Sequence, residues 1–224
     1  MSTPRGEKGA FKVSVPKLEK VVKDFKAINK DAENVVKRTV SDFKSRAPGW
    51  VSAAVTKTYG VPPAEIRSSF TGVGKSVGRV RAEGTEIESA SLVYSGRVLT
   101  PTHFKMKPST PELKRGTPYQ KPISATFFKG KRQQITRRAF LAPTGATSAD
   151  KTSHIPFQRM GAKEIMEKGK HKGKKRQPIY KVLTLSLPQM IDNKDVRTQI
   201  QENIDKKLGE RIEGHIDRAF KNRG

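Results

Sequence analysis

Seven apolar residues recur at every fourth position near the C-terminal end of this chain: Val196, Ile200, Ile204, Leu208, Ile212, Ile216 and Phe220. No strand produces that spacing, so a long α-helix from about Lys194 is required. An α-helix turns about 100° per residue, so each four-residue step advances the stripe by roughly 40°. Over its length the stripe spirals and cannot lie against one flat partner. Two arrangements follow. Either the helix wraps its own sheet, bent at Gly209 and Gly214, or its first half packs on that sheet and its second half on a neighbouring subunit.

The rest of the chain divides by periodicity. Leu18, Val21, Val22 and Phe25 predict a helix from Pro16 to about Ile28, after a short strand over Lys12–Val15. Val35, Val36, Val40 and Phe43 predict a second helix from Asn29 or Asp31, broken at Pro48 and Gly49. A third is expected from Trp50 to Thr58, and a short helical turn from Pro62 through Phe70. Beyond that the pattern changes. GKSVGRVRAEG, ASLVYSGRVL, THFKMKP, KPISATFFKG, AFLAPTG and YKVLTLSL carry β-branched and aromatic residues in partial alternation, which predicts five to seven mostly antiparallel strands. Residues 108–120, with three prolines, and 145–153 read as loops. The expected fold class is α+β: N-terminal helices, a mostly antiparallel sheet core with long loops, and a long C-terminal helix. The expected organisation is a flexible tail over 1–10 and a single domain over 11–224. That domain comprises a helical block (11–70), a β-rich core (71–186) and the C-terminal helix (187–224).

Charge narrows the class of partner. The net charge is +25 on 224 residues, which attracts polyanions or acidic protein surfaces. Residues 61–177 hold 24 basic and 8 acidic side chains, while residues 178–224 hold 9 and 7. The densest run is KGKHKGKKR, with Lys168, Lys170, Lys172, Lys174, Lys175 and Arg176. Gly169 and Gly173 interrupt it, so it reads as a mobile basic loop. It either keeps the protein soluble or contacts DNA or an acidic partner ring. Lys129, Lys131, Arg132, Arg137 and Arg138 are possible companions. No aromatic side chain is interleaved for base stacking, so any nucleic-acid contact here is with the backbone and is sensitive to salt.

No catalytic constellation emerges. There is no cysteine, which excludes disulfides, thiol chemistry and sulfur-ligated metals. Gly72-Val73-Gly74-Lys75-Ser76 resembles the end of a phosphate-binding loop, but Ser69 stands where the pattern needs glycine. The segment also follows a predicted helix, so a connector is the expected reading. His103, His154, His171 and His215 lie far apart, with no partner at metal-ligand spacing. His215 is expected to be a packing or rim residue. No serine sits in a nucleophile elbow. The N-terminus has no apolar signal-peptide core, and no run approaches a membrane span, so a soluble chain made in the cytoplasm is expected.

Two stretches carry a family resemblance. The first is NKDAENVVKRTVSDFKSRAPGWVSAAVTKTYGVPPAEIRSSF, with Tyr59, Gly60, Val61, Ile66 and Arg67 after the helices. The second is RQPIYKVLTLSLPQMIDNKDV, from Arg176 to Val196; GKRQQITRRAFLAPTG lies between them. In this order they resemble the phage minor tail protein Z family, the tail-completion proteins of long-tailed phages and prophages, over roughly two thirds of the chain. The Pro-rich stretch and the basic loop depart from that pattern. The resemblance implies a structural protein, not an enzyme, with no cofactor. It further implies a ring at the head-proximal (neck or collar) end of a tail tube, of sixfold symmetry to match the tube. The implied partners are further copies of the chain, the tube, the tail terminator or sheath, a head–tail connector, and DNA in transit, with no membrane. The implied location is a virion or a headless tailocin, assembled in the bacterial host cytoplasm. In such a ring two contact surfaces are expected: the basic loop with Arg137 and Arg138, and the late C-terminal helix with Ile212, Ile216 and Phe220. The alternative reading is a non-specific basic nucleic-acid-binding protein.

Overall fold

The computed structural model describes residues 7–12, 30–66, 77–84, 90–114, 117–119, 121–136, 139–148, 151–169 and 171–221. The protein is α+β, and among the described residues every strand pairs antiparallel. The expected helix over 16–28, the glycine connector 72–76, Lys170, Arg137 and Arg138 lie outside the described residues. The chain forms two compact units. One comprises 1–58, 63–98 and 186–224; the other comprises 59–62 and 99–185.

Among the described residues the first unit holds one sheet, three named helices and a short helical turn over 63–66, the start of the turn expected from Pro62. Helix α1 spans Lys30–Thr58 without interruption, where the sequence predicts two helices separated at Pro48. Proline removes one helical hydrogen bond and crowds the carbonyl of Lys44. Burial outweighs that cost: Phe43, Ala47, Trp50, Val51, Ala54 and Val55 are all closed off from solvent along one face spanning the proline. Gly49 has open space where a Cβ would stand, so no close approach demands glycine there.

Strands β1 (Glu7–Lys12), β2 (Gly78–Glu83) and β3 (Ser91–Gly96) form a sheet in the order β1-β3-β2. Residues 7–10 are therefore strand where a flexible tail is expected, held by pairing to β3. Tyr94 on β3 leaves no room for a side chain at Gly9, whose added Cβ would stand 2.3 Å from the ring.

Helix α2 (Leu187–Asp192) opens with a complete capping box. Ser186 Oγ accepts from the Gln189 amide, and Gln189 Oε1 accepts from the Ser186 amide. Asn193 then starts the next helix, its Oδ1 accepting from the amides of Asp195 and Val196. Helix α3 runs from Lys194 to Lys221, straight through Gly209 and Gly214. Its stripe is buried from Val196 through Ile212, mainly against α1 and near its start against α2. The spiral ends there. His215, three residues on, takes the next buried position and Ile216 is only half-buried. A three-residue step turns the face back by about 60°, which undoes part of the accumulated drift.

The second unit is built from hairpins. After a 3-10 turn (Pro101–Phe104) come β4 (Glu112–Lys114) with β5 (Thr117–Tyr119), and β6 (Ser124–Phe128) with β7 (Lys131–Gln134). THFKMKP is thus a turn rather than a strand. The Pro-rich stretch holds a short hairpin rather than a plain loop. Strands β8 (Phe140–Ser148) and β9 (Lys151–Arg159) extend through most of the expected 145–153 loop. Two short strands, β10 (Glu164–Ile165) and β11 (Lys175–Arg176), pair with each other, and β12 (Ile179–Lys181) joins β9. Tyr59, Val61, Leu99, Phe104, Ile123, Ala125, Leu141 and Val182 fill the core.

Candidate functional site

The described residues of the basic run, Lys168, Gly169 and His171 to Arg176, form the end of a hairpin. Both glycines have positive φ, Gly169 at 82° and Gly173 at 80°, a region that glycine enters without steric cost. The Lys172 amide donates to Gly169 O at 3.0 Å, and the Lys174 amide to His171 O at 3.1 Å. Below the turn, Gly173 N donates to Met166 O at 2.8 Å and Met166 N to Lys174 O at 3.1 Å. The hairpin's foot is tied to the neighbouring sheet, because Gln177 Nε2 donates to Gly161 O and Arg159 donates to Gln177 O. Lys168, Lys172, Lys174 and Lys175 are exposed and Arg176 is half-buried. The glycine turns therefore present a concentrated cationic tip on an ordered stem.

Three of the companion cations occupy a separate hairpin. Lys129, Lys131 and Arg132 lie at the exposed β6–β7 turn, and Arg132 donates to Ser124 Oγ and Lys105 O. The second unit as a whole holds 20 Lys and Arg against 4 Asp and Glu. It also holds every large apolar side chain found exposed among the described residues: Phe128, Met160, Ile165, Ile179, Tyr180 and Leu183. Ile165 is 68% exposed. Local sequence gave no warning of this, since an isolated apolar residue on a two-residue strand has no alternation to read.

The C-terminal candidates separate by burial. Ile212 is a core residue of its own chain, so it is not available as a free contact. Ile216 is half-buried, and the Phe220 side chain lies outside the described atoms. What sequence reasoning missed here is the partner of His215. Its Nε2 lies 3.0 Å from Asp42 Oδ2 on α1, and Arg46 and Arg211 flank the same carboxylate at 3.6 and 3.9 Å. His215 Nδ1 is buried with no hydrogen-bond partner among the described residues. A base needs a ring nitrogen that a substrate can reach. This imidazole offers none, so the cluster clamps α3 to α1.

A second polar cluster joins sheet and helices. Tyr94 donates its hydroxyl proton to Asp192, and Arg197 donates to both Asp192 and the Tyr94 oxygen. Burial, and then the bond to Asp192, hold the Tyr94 phenol above its ordinary pKa. Arg197 is held more firmly protonated, first by Tyr94 and then by Asp192. A neutral tyrosine locked to a carboxylate and a guanidinium is a structural tie.

An open depression of about 480 Å³ near Pro108 is lined by Lys107, Lys121, Ser109, Thr110 and Ser124, with no acid or imidazole. Among the described residues no group of His, Asp and Glu is arranged to hold a metal ion, and no helix is long and apolar enough to cross a membrane. The chain matches no protein-family model, no curated protein and no solved structure. Its surface therefore carries the functional argument: a cationic hairpin beside open apolar positions.

Proposed function

We propose that this chain is a structural component of a phage or phage-like tail, a ring-forming tail-completion or neck protein at the head-proximal end of the tube. One observation carries the reading: the second unit gathers the exposed large apolar side chains among an excess of 20 basic over 4 acidic residues. Contiguous apolar surface marks a place that a partner covers, and Ile179, Tyr180 and Leu183 stand close together on and just beyond β12. The cations select an acidic partner, or a channel that DNA crosses. The two sequence stretches that resemble the minor tail protein Z family, one at α1 and one running from β11 into α3, point the same way. Native mass spectrometry of the purified chain is expected to show a closed oligomer. A strict monomer at every concentration, never recovered with particles, overturns the proposal.

The charge favours one other reading, a basic nucleic-acid-binding protein. Filter binding across a salt series separates the two. Tight binding with a steep salt slope supports nucleic acid as the main partner; no binding at about 150 mM salt removes it.

A further inference from the structure

Strand β12 closes one edge of the sheet β12-β9-β8, and no described strand pairs with its outer side. Its hydrogen bonds show which backbone groups remain open. Met160 N donates to Pro178 O at 3.2 Å, and Val182 N donates to Pro156 O at 2.9 Å. In an antiparallel ladder, alternate residues turn their N–H and C=O toward the neighbour. Pro178, Tyr180 and Val182 therefore face β9, while Ile179 and Lys181 direct their backbone groups outward. Natural edges are usually blunted by short strands, lysine, proline or bulges, and β12, three residues long with Lys181 at its end and Pro178 before it, is guarded in this way against a basic copy of itself but not against an acidic strand. Here the outward pair is flanked by exposed apolar groups: Ile179 is 44%, Tyr180 41% and Leu183 48% exposed.

We infer that β12 is a strand-addition site that captures an extended acidic–apolar segment of a neighbouring protein. Ile179, Lys181 and Leu183 are alternate residues and so repeat apolar–cationic–apolar along one face. A docking strand that presents apolar–acidic–apolar on the matching face satisfies each position through cross-strand pairs. Arg159, paired with Ile179 across the ladder, and the basic β10–β11 hairpin add to the preference for acid. A second copy of β12 fits poorly, because antiparallel self-pairing centred on Lys181 sets like charges opposite each other. Backbone bonds to Ile179 and Lys181 supply affinity, and the side-chain pattern supplies specificity.

The inference rests on the reading of the chain as an assembly part, and the two can fail separately. The probe is a capped synthetic peptide, Val-Thr-Glu-Thr-Val, titrated into the full chain while amide exchange is followed. The expected result is slowed exchange at Ile179 and Lys181. A peptide with Lys in place of Glu should bind at least fivefold more weakly. In the variant Lys181→Pro, proline deletes an outward N–H that β9 does not use, so the melting temperature should hold while affinity falls at least tenfold. Lys181→Ala keeps the donor and should lose only about threefold. Ile179→Pro repeats the test should Lys181→Pro fail to fold. Unchanged affinity in either folded proline variant overturns the inference. So does protection elsewhere than β12, or a single-stranded oligonucleotide that occupies the same amides in place of the peptide. A chain that joins particles with an idle edge refutes strand addition alone. A chain that captures the peptide but never joins particles refutes the tail reading alone.

Discussion

At the residue scale the glycines divide into those that space requires and those that it does not. A Cβ at Gly60 would stand 1.8 Å from the backbone oxygen of Thr126, where the Gly60 amide also donates to Phe127 O at 3.0 Å. Backbone cannot swing aside as a flexible side chain can. Gly60→Ala should therefore cost about 3 kcal/mol or more, measured by urea unfolding. Gly209 and Gly214 are the opposite case, inside α3 with nothing within 4 Å. Replacing either with alanine should stabilise the protein by about 0.5–1 kcal/mol; a loss would show that the helix needs their freedom. Tyr94 makes a separate prediction. Its folded pKa lies above the unfolded value of about 10, so the fold holds a proton that the unfolded chain releases. The stability it contributes is complete below that pH and is lost as pH rises through the folded value. Ultraviolet titration should show one tyrosine ionising later than the rest, and Tyr94→Phe should abolish that late step.

Elements expose the limits of local rules. The α3 stripe was readable because four-residue spacing admits one solution, and the helix begins at Lys194 as its pattern requires. Pro48 misled for the converse reason: a strong local breaker was overruled by the burial of Phe43, Trp50 and Val51 on either side of it, in a helix that packs against α3. Pro48→Ala should restore the missing helical bond to Lys44 and raise stability by about 1–3 kcal/mol in thermal unfolding. In the stretch YKVLTLSL, a full strand was expected, yet regular pairing covers only Ile179–Lys181. Val182 still donates to Pro156 O at 2.9 Å, but Pro156 has no N–H to return a bond, and regular pairing stops there. Of the candidate contact sites, the basic run was visible as composition. Its ordered turn was not, since Gly169 and Gly173 signal both mobility and the positive φ that a tight turn needs. The open edge of β12 was invisible, because pairing partners are not written locally.

At the scale of the whole molecule, the division of labour between units matters most. The first unit closes its long helices around Ile200, Ile204 and Leu208 and ties them with Asp42–His215 and Tyr94–Asp192–Arg197. The second carries the open apolar groups and most of the charge excess. We propose that the exposed Ile165, Ile179 and Leu183 are covered in an assembly, a use that coating nucleic acid alone would not give them. The most direct test is electron microscopy of purified phage-like tails in which this chain carries a gold-binding tag. Label is expected only at the head-proximal end of the tube, as a ring. Particles that are complete and unlabelled, in cells that express the tagged chain, would contradict it.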